Sequence, residues 1–381
     1  MDSVQTSPKR RKKDKKPLYI LIVTLVFFIF FIYLITRPSI QSKAIDEIQI
    51  CNNLIEVKQT YEKYKFELIE TDENDQKIVS LEFQDAIRKR LASFNLSDSD
   101  INDCISWLPP APTSLNLIIV PDLSRRILDS SNNPNQIEND IIVLKSIWKS
   151  FVESSKLKQG TKDRLIIDVT DIDQANGQFG DVANKLQFDL SNHKGKSNRL
   201  FFTPEKDTQF ESGIRKMYEL AILNPIGADY RFYFQRYLKN LIKKPTLFDN
   251  YINKVVIITD GYLEPEHKPA DTKIYGYEKI LHQAVSNGNI LDVINSNALN
   301  ILRVDIDLTN TKLLVCEVTE RRFIQFTKIV STGRNFDFEI LNTYWEDWFK
   351  RMGAKKENIT FLQRELATDI TTKKVAEFIA K

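Results

Sequence analysis

The chain has 381 residues and a net charge of +3 at pH 7. Its first 17 residues hold seven Lys and Arg residues against Asp2 and Asp14, a net charge of +5, which leaves −2 for the rest. The positive charge therefore belongs to a short tail and not to a folded surface. This distribution implies no basic groove and excludes nucleic acid as the expected partner.

Residues 18–36, LYILIVTLVFFIFFIYLIT, are nineteen residues without a charge, enough for a helix to span the roughly 30 Å hydrocarbon layer. Seven basic residues lie within positions 9–16, whereas Arg37 and Lys43 alone follow closely. This bias predicts a cytoplasmic N-terminus, residues 1–17, and a main domain on the extracytoplasmic side. A cleaved signal peptide is the alternative, but it would have a shorter apolar region followed by small residues. We therefore predict an integral, single-pass membrane protein.

About 345 residues follow this anchor, enough for one large or two modest domains with a substantial core. The three cysteines have no metal-binding spacing. Cys51 and Cys104 could form a disulfide in an oxidising compartment, or both could be core residues. Cys316 lies in an apolar run, which predicts a buried thiol.

Residues 37–107 are highly charged and predicted to be helical, as a stalk or a small helical subdomain. The prediction depends on apolar residues at helical spacing, namely Ile45, Ile48, Leu54, Val57, Tyr61 and Tyr64. The helical pattern ends at residues 108–114, where three prolines in four positions predict an extended linker.

Residues 115–365 alternate short apolar segments with amphipathic ones, the pattern of an α/β domain with a mostly parallel, doubly wound sheet in a Rossmann-type three-layer arrangement. The predicted strands are Leu115–Val120, Arg164–Val169, Lys254–Thr259, Lys312–Val318 and Asn358–Leu362. The predicted helices are Gln136–Leu157, Thr208–Leu223, Tyr230–Ile242, Tyr277–Val285 and Asp337–Met352. Residues 366–381 are expected to form a C-terminal tail or helix.

Sites in such sheets form beyond the carboxyl ends of the strands, and two predicted strands end in an aspartate there. Asp122 and Ser124 follow the first strand, and Asp260 follows the strand that begins at Lys254. Thr208 is predicted to open a helix between them. Carboxylate and hydroxyl oxygens of these four residues could hold one hard cation such as Mg²⁺.

At these residues the chain resembles the von Willebrand factor type A (VWA) domain, over about residues 115–362. That family's metal-ion-dependent adhesion site uses Asp-x-Ser-x-Ser, a distant Thr and a later Asp. The resemblance implies Asp122, Ser124, Thr208 and Asp260 as ligands of Mg²⁺ or another divalent cation. It also implies recognition of a protein partner.

The second serine of the motif does not match, because Arg126 occupies its position. Its guanidinium would remove a hydroxyl ligand and could instead pair with Asp122 or Asp260 in the place of the metal. Thr203 is an alternative to Thr208. A second cation site or a solvated hairpin is possible at the acidic residues Asp168, Asp171 and Asp173.

Enzyme signatures are missing from the sequence. The histidines His193, His267 and His282 are far apart, and Gly195-Lys196-Ser197 lacks the preceding glycine of a phosphate-binding loop. We therefore expect a membrane-tethered VWA-like domain that binds a protein, and no enzyme. The alternatives are a metal-independent structural module and an unrecognised hydrolase that uses Asp122 and Asp260.

Overall fold

A computed structural model of the chain describes residues 24, 25, 27, 28, 38–71, 75–158, 160–170, 177–193, 197–225, 227–265, 268–321, 336–364 and 368–380. The predicted anchor, residues 18–36, lies outside the described residues except at four positions. Within the described ranges, no helix combines the length and the apolar character needed to cross a membrane. The described part of the chain divides into two compact units.

The first unit ends at Phe94, and its described residues from 38 onward form three helices and a two-stranded sheet. Its elements are α1 Ile40–Ile50, α2 Leu54–Tyr64, β1 Ile69–Thr71, β2 Lys77–Val79 and α3 Leu81–Ala92. Its core includes Val57, Phe83 and Ile87, all with no exposed surface, and Tyr61 and Tyr64 pack against the Phe83 ring. The helices were predicted from apolar spacing, whereas the short hairpin was not.

Apart from the short stretch Thr71–Gln76, the second unit runs from Asn95 to Lys381, and it holds the large sheet. It begins with α4 Asp98–Trp107, so the boundary between the units precedes the Pro-rich segment at 108–114. The strands are β3 Thr113–Pro121, β4 Arg164–Ile167, β5 Gln187–Asp189, β6 Asn250–Ile258, β7 Thr311–Val318 and β8 Ile359–Gln363. The helices are α5 Gln136–Lys156, α6 Gly180–Lys185, α7 Pro204–Leu223, α8 Tyr230–Tyr233, α9 Lys239–Leu241, α10 Glu278–Asn287, α11 Ile290–Ser296, α12 Asp337–Arg351 and α13 Thr368–Ala380.

The strand order is β5-β4-β3-β6-β7-β8, and every neighbouring pair is parallel except β4 and β5. Successive residues of a strand point to opposite faces, so Ile119 packs on one side of the sheet and Ile118 on the other. One face is covered by α5, α7 and α13, and the opposite face by α8, α10 and α12. This arrangement confirms the predicted mostly parallel α/β sheet with helices on both faces.

The predicted start of α7 was wrong. This helix begins at Pro204 and not at Thr208, and Thr203 takes the N-cap position with an extended backbone. Proline is well tolerated in the first turn because its missing N–H would have no partner there in any case. Thr208 therefore lies inside the helix, where its hydroxyl donates to the Pro204 carbonyl oxygen at 3.1 Å.

The three cysteines are all free and buried. Cys316 has no exposed surface, which confirms the prediction of a buried thiol, and burial raises the pKa of this thiol well above its usual value. Cys51 lies in the first unit and Cys104 in the second, and both are reduced core residues in this structure.

Candidate functional site

Asp122 and Asp260 lie where the strand order reverses. The chain passes from β3 outward to β4 and β5 on one side and continues with β6 on the other. The carboxyl ends of β3 and β6 therefore mark the position at which open α/β sheets have their crevice, and we use that name for this position. Asp122 follows β3 directly and Asp260 comes two residues after Ile258, the end of β6. The Thr259 hydroxyl donates to Asp122 Oδ2 at 2.8 Å, which ties the two strand ends together.

Arg126 forms the centre of this crevice. A short 3₁₀ turn, Arg125–Leu128, brings its side chain back over the strand ends, where 1% of it is exposed. Its Nε donates to the Asp122 carbonyl at 3.0 Å and lies 3.5 Å from Asp122 Oδ2. Its Nη2 donates to the Ile258 carbonyl at 3.0 Å and to Asp140 Oδ2 at 2.6 Å. One guanidinium therefore connects β3, β6 and α5.

Asp140 is the second carboxylate of this centre and comes from α5. It has no exposed surface and accepts hydrogen bonds from the Tyr218 hydroxyl at 2.9 Å and from Gln136 Nε2 at 2.6 Å. Burial raises the pKa of Asp140, although Arg126 and these two donors oppose that effect. Burial alone would lower the pKa of Arg126, but Asp140 and Asp122 outweigh it and hold the pKa above its usual value. We conclude that the guanidinium stays charged.

Asp260 has an arginine of its own, Arg321, from the segment that follows β7. Asp260 Oδ2 accepts from Arg321 Nη2 at 2.9 Å and from Nε at 3.2 Å. The guanidinium also donates to Glu264 at 2.6 Å and lies over the Tyr262 ring, 4.0 Å from its centroid. Burial alone would lower the pKa of Arg321, and Asp260 and Glu264 raise it well above its usual value.

The turn that carries Asp260 needs glycine at its third position. Gly261 has a φ of +97°, which disfavours residues with a side chain. A Cβ atom there would lie 3.0 Å from Val318 Cγ1 and 3.1 Å from Leu341 Cδ1. The backbone conformation and the close packing at the end of β6 therefore require the glycine of the Thr-Asp-Gly sequence.

The structure brings Ser124 to the crevice but not Thr208. The Ser124 amide donates to Asp122 Oδ1 at 2.9 Å, which forms an Asx-type turn. Thr208 is exposed and precedes Tyr218, the α7 residue that reaches Asp140, by ten positions, or about 15 Å along a helix. The contact between α7 and Asp140, made by Tyr218, is thus far from Thr208.

A different segment lies over Ser124, namely the loop that enters α8. A Cβ atom on Gly227 would lie 3.0 Å from the Ser124 nitrogen, so the loop backbone is close to the turn after β3. Ala228 follows with a φ of +63°, and Asp229 caps α8 by accepting from the Phe232 amide at 3.1 Å. The described residues 227–229 of this loop include no hydroxyl that could replace Thr208.

The neighbouring parallel strands also carry a carboxylate at this edge. Asp168 follows β4 and accepts from the Tyr233 hydroxyl at 3.0 Å, and burial raises the pKa of this carboxyl. Glu317 lies near the end of β7. Asp171 and Asp173, which together with Asp168 were considered as a second cation site or a solvated hairpin, lie outside the described residues.

These residues do not fit a divalent cation. The Asp122 and Asp260 oxygens already accept hydrogen bonds from Thr259, the Ser124 amide, the Tyr262 amide and Arg321. Two charged arginines stand beside them, and a cation there would meet their repulsion. Across the described ranges no group of three or more His, Cys, Asp or Glu residues could hold a metal ion.

Sequence comparison adds no assignment to this geometry. The chain matches no protein-family model and no curated protein sequence.

Sequence reasoning identified Asp122, Asp260 and the unusual Arg126, but it missed Asp140 and Arg321. Asp140 follows Gln136 by four positions on an otherwise apolar helical face, and this buried polar pair was the available signal. Arg321 follows β7, the neighbour of β6, so a search of every strand end for basic residues would have found it.

Proposed function

We propose that the second unit is a VWA-like binding domain whose loops at the carboxyl edge of the sheet bind a protein partner without a divalent cation. One observation carries this proposal: each aspartate of the crevice is paired with an arginine of the same chain, within 3.5 Å for Asp122 and 2.9 Å for Asp260. The positive charge that a cation would supply is built into the fold.

The position of the crevice supports a binding role. It lies at the point of strand reversal, which is where open α/β sheets bind their ligands. The turn after β3 exposes Leu128, half of whose surface is accessible, beside the exposed Arg125. An apolar side chain among charged ones is suited to a protein contact more than to a small ion.

The geometry favours this metal-free alternative over the metal-dependent one and over hydrolysis. A hydrolase that uses Asp122 and Asp260 would need a carboxyl that is free to exchange a proton with substrate or water. Both carboxylates instead accept hydrogen bonds from buried partners. The proposed location, tethered to a membrane with the domain on the extracytoplasmic side, depends on residues 9–36 of the sequence alone.

Capture of the partner from solubilised membranes tests the proposal. The tagged full chain in mild detergent should recover the same partner in the presence of Mg²⁺ and in the presence of a chelator. Leu128→Asp should reduce recovery at least about tenfold, because a charge would have to be buried in the interface. The matched control is Leu302→Asp, an exposed leucine in the segment that leads into the amino end of β7.

Two outcomes would overturn the proposal. Loss of the partner on chelation would restore the metal-dependent alternative. Equal recovery by Leu128→Asp and Leu302→Asp would show that the carboxyl edge does not make the contact.

A further inference from the structure

Glu317 is a buried acid that the candidate site does not use. It lies next to the last residue of β7, with 1% of its side chain exposed. Neither of its carboxylate oxygens makes a hydrogen bond of good geometry with the described residues, although the Gln136 amide and the Arg364 guanidinium lie close enough to favour the ionised form. A buried carboxylate without such a hydrogen bond is costly when it is ionised, so this residue needs an explanation.

The backbone at Glu317 is strained. Its φ is +66°, the left-handed region that residues with a side chain rarely adopt. The pairing of β7 with β8 is irregular at the same point, between Val315 and Val318. Val315 and Val318 both pack in the cluster opposite α5, whereas Cys316 packs on the α5 face. The irregularity thus interrupts the alternation of side chains between the two faces of the sheet along β7. As a result, the Glu317 side chain lies on the face of the sheet that α5 covers.

The groups that face Glu317 make most of their hydrogen bonds with other partners. From the end of β8, Arg364 Nε lies 3.8 Å away, but this guanidinium donates to Gln136 Oε1 at 2.9 Å and to the Pro134 carbonyl at 2.5 Å. From α5, the Gln136 amide donates to Asp140. Arg126 pairs with Asp140 and Asp122, and Cys316 is the nearest titratable group on β7 itself.

Burial is the main reason why the pKa of Glu317 is raised to about 7, and the charge of Asp140 adds to it. Arg364, Arg126 and Gln136 oppose the shift without cancelling it. The carboxyl therefore changes its charge in the physiological range, inside the fold and at a strained, irregular strand pairing.

We propose that Glu317, buried at the irregular pairing of β7 and β8, is a proton-operated switch in which release of its proton opens this edge of the sheet. The ionised carboxylate makes no hydrogen bond of good geometry with the described residues, so it gains free energy when the irregular pairing opens and admits water. Arg364 links β8 to the start of α5, so opening also breaks its bonds to Gln136 and Pro134. The protonated form keeps the edge closed.

The sign of the effect follows from proton linkage. The folded-state pKa of Glu317, about 7, lies above the ordinary value of 4.5, so the folded protein binds this proton more tightly than the unfolded chain does. The stabilisation that results is fully present below pH 4.5 and is lost as the pH rises through about 7. Ionisation therefore weakens the fold, and it does so first at the β7–β8 edge.

Hydrogen exchange on the full chain in mild detergent tests the switch. Between about pH 6 and about pH 8, after correction for intrinsic exchange rates, protection of β8 should fall roughly tenfold in the wild type. Glu317→Gln, which imitates the neutral acid, should keep its protection and melt at a higher temperature than the wild type at the higher pH. Glu357→Gln, an exposed acid beside β8, is the matched control and should behave as the wild type.

Equal pH dependence in the wild type and in Glu317→Gln would overturn the proposal. If the variant fails to fold, carbon NMR of the side-chain carboxyls in the wild-type chain decides the question. A Glu317 titration midpoint near 7 supports the switch, and a midpoint within about one unit of the ordinary glutamate value contradicts it.

Discussion

Arg126→Met is expected to destabilise the second unit by about 3–5 kcal/mol, the cost of removing one partner from a buried ion pair. The substitution keeps most of the side-chain volume but leaves Asp122 and Asp140 buried without their cation. It also removes the donor to the Ile258 carbonyl, so the ends of β3 and β6 lose a shared contact. The effect should appear as an earlier midpoint of urea unfolding.

Tryptophan fluorescence can follow this unfolding selectively. All four tryptophans, Trp107, Trp148, Trp345 and Trp348, lie in the second unit, so their signal reports on that unit and not on the first. Arg303→Met is the matched control: the same substitution at an exposed position of the second unit should change the free energy of unfolding by less than about 0.5 kcal/mol. A loss below about 1 kcal/mol for Arg126→Met would show that the guanidinium does not hold the strand ends together.

Arg321→Met is expected to cost about 3 kcal/mol, because Asp260 is 1% exposed and would keep a buried charge without its partner. Adding Asp260→Asn to this variant should recover part of the loss, since the neutral amide removes the uncompensated charge. Urea unfolding of the two single variants and the double variant forms a complete cycle. Strictly additive losses would mean that the contact between Arg321 and Asp260 contributes no coupling energy, and would contradict the proposed pairing.

The central strands could be predicted from the sequence because their composition leaves few alternatives. Leu115–Val120 and Lys254–Thr259 consist mainly of β-branched and aliphatic residues. The first run falls within β3, and the second falls within β6 except for its last residue, because β6 ends at Ile258. The edge strand β5 was missed because it has three residues, of which Phe188 alone is buried. Such a short segment has too few residues for a periodicity to be recognised.

The candidate site was predictable where position in the strand determines position in space. Asp122 and Asp260 meet because both follow parallel neighbouring strands. The pairing of Arg126 with Asp122 was one of two open alternatives for this arginine, and the structure shows it. The contacts of Asp140 and Arg321 with the crevice depend on how a helix and a distant loop pack on the sheet, which local spacing does not encode.

The central claim is that Arg126 and Arg321 supply the positive charge that a cation would otherwise bring to Asp122 and Asp260. Calorimetric titration of the full chain with Mn²⁺ tests it most directly, with Asp260→Ala in parallel. We predict no saturable heat and no rise in melting temperature for either protein. Stoichiometric binding by the wild type that is lost in Asp260→Ala would contradict it.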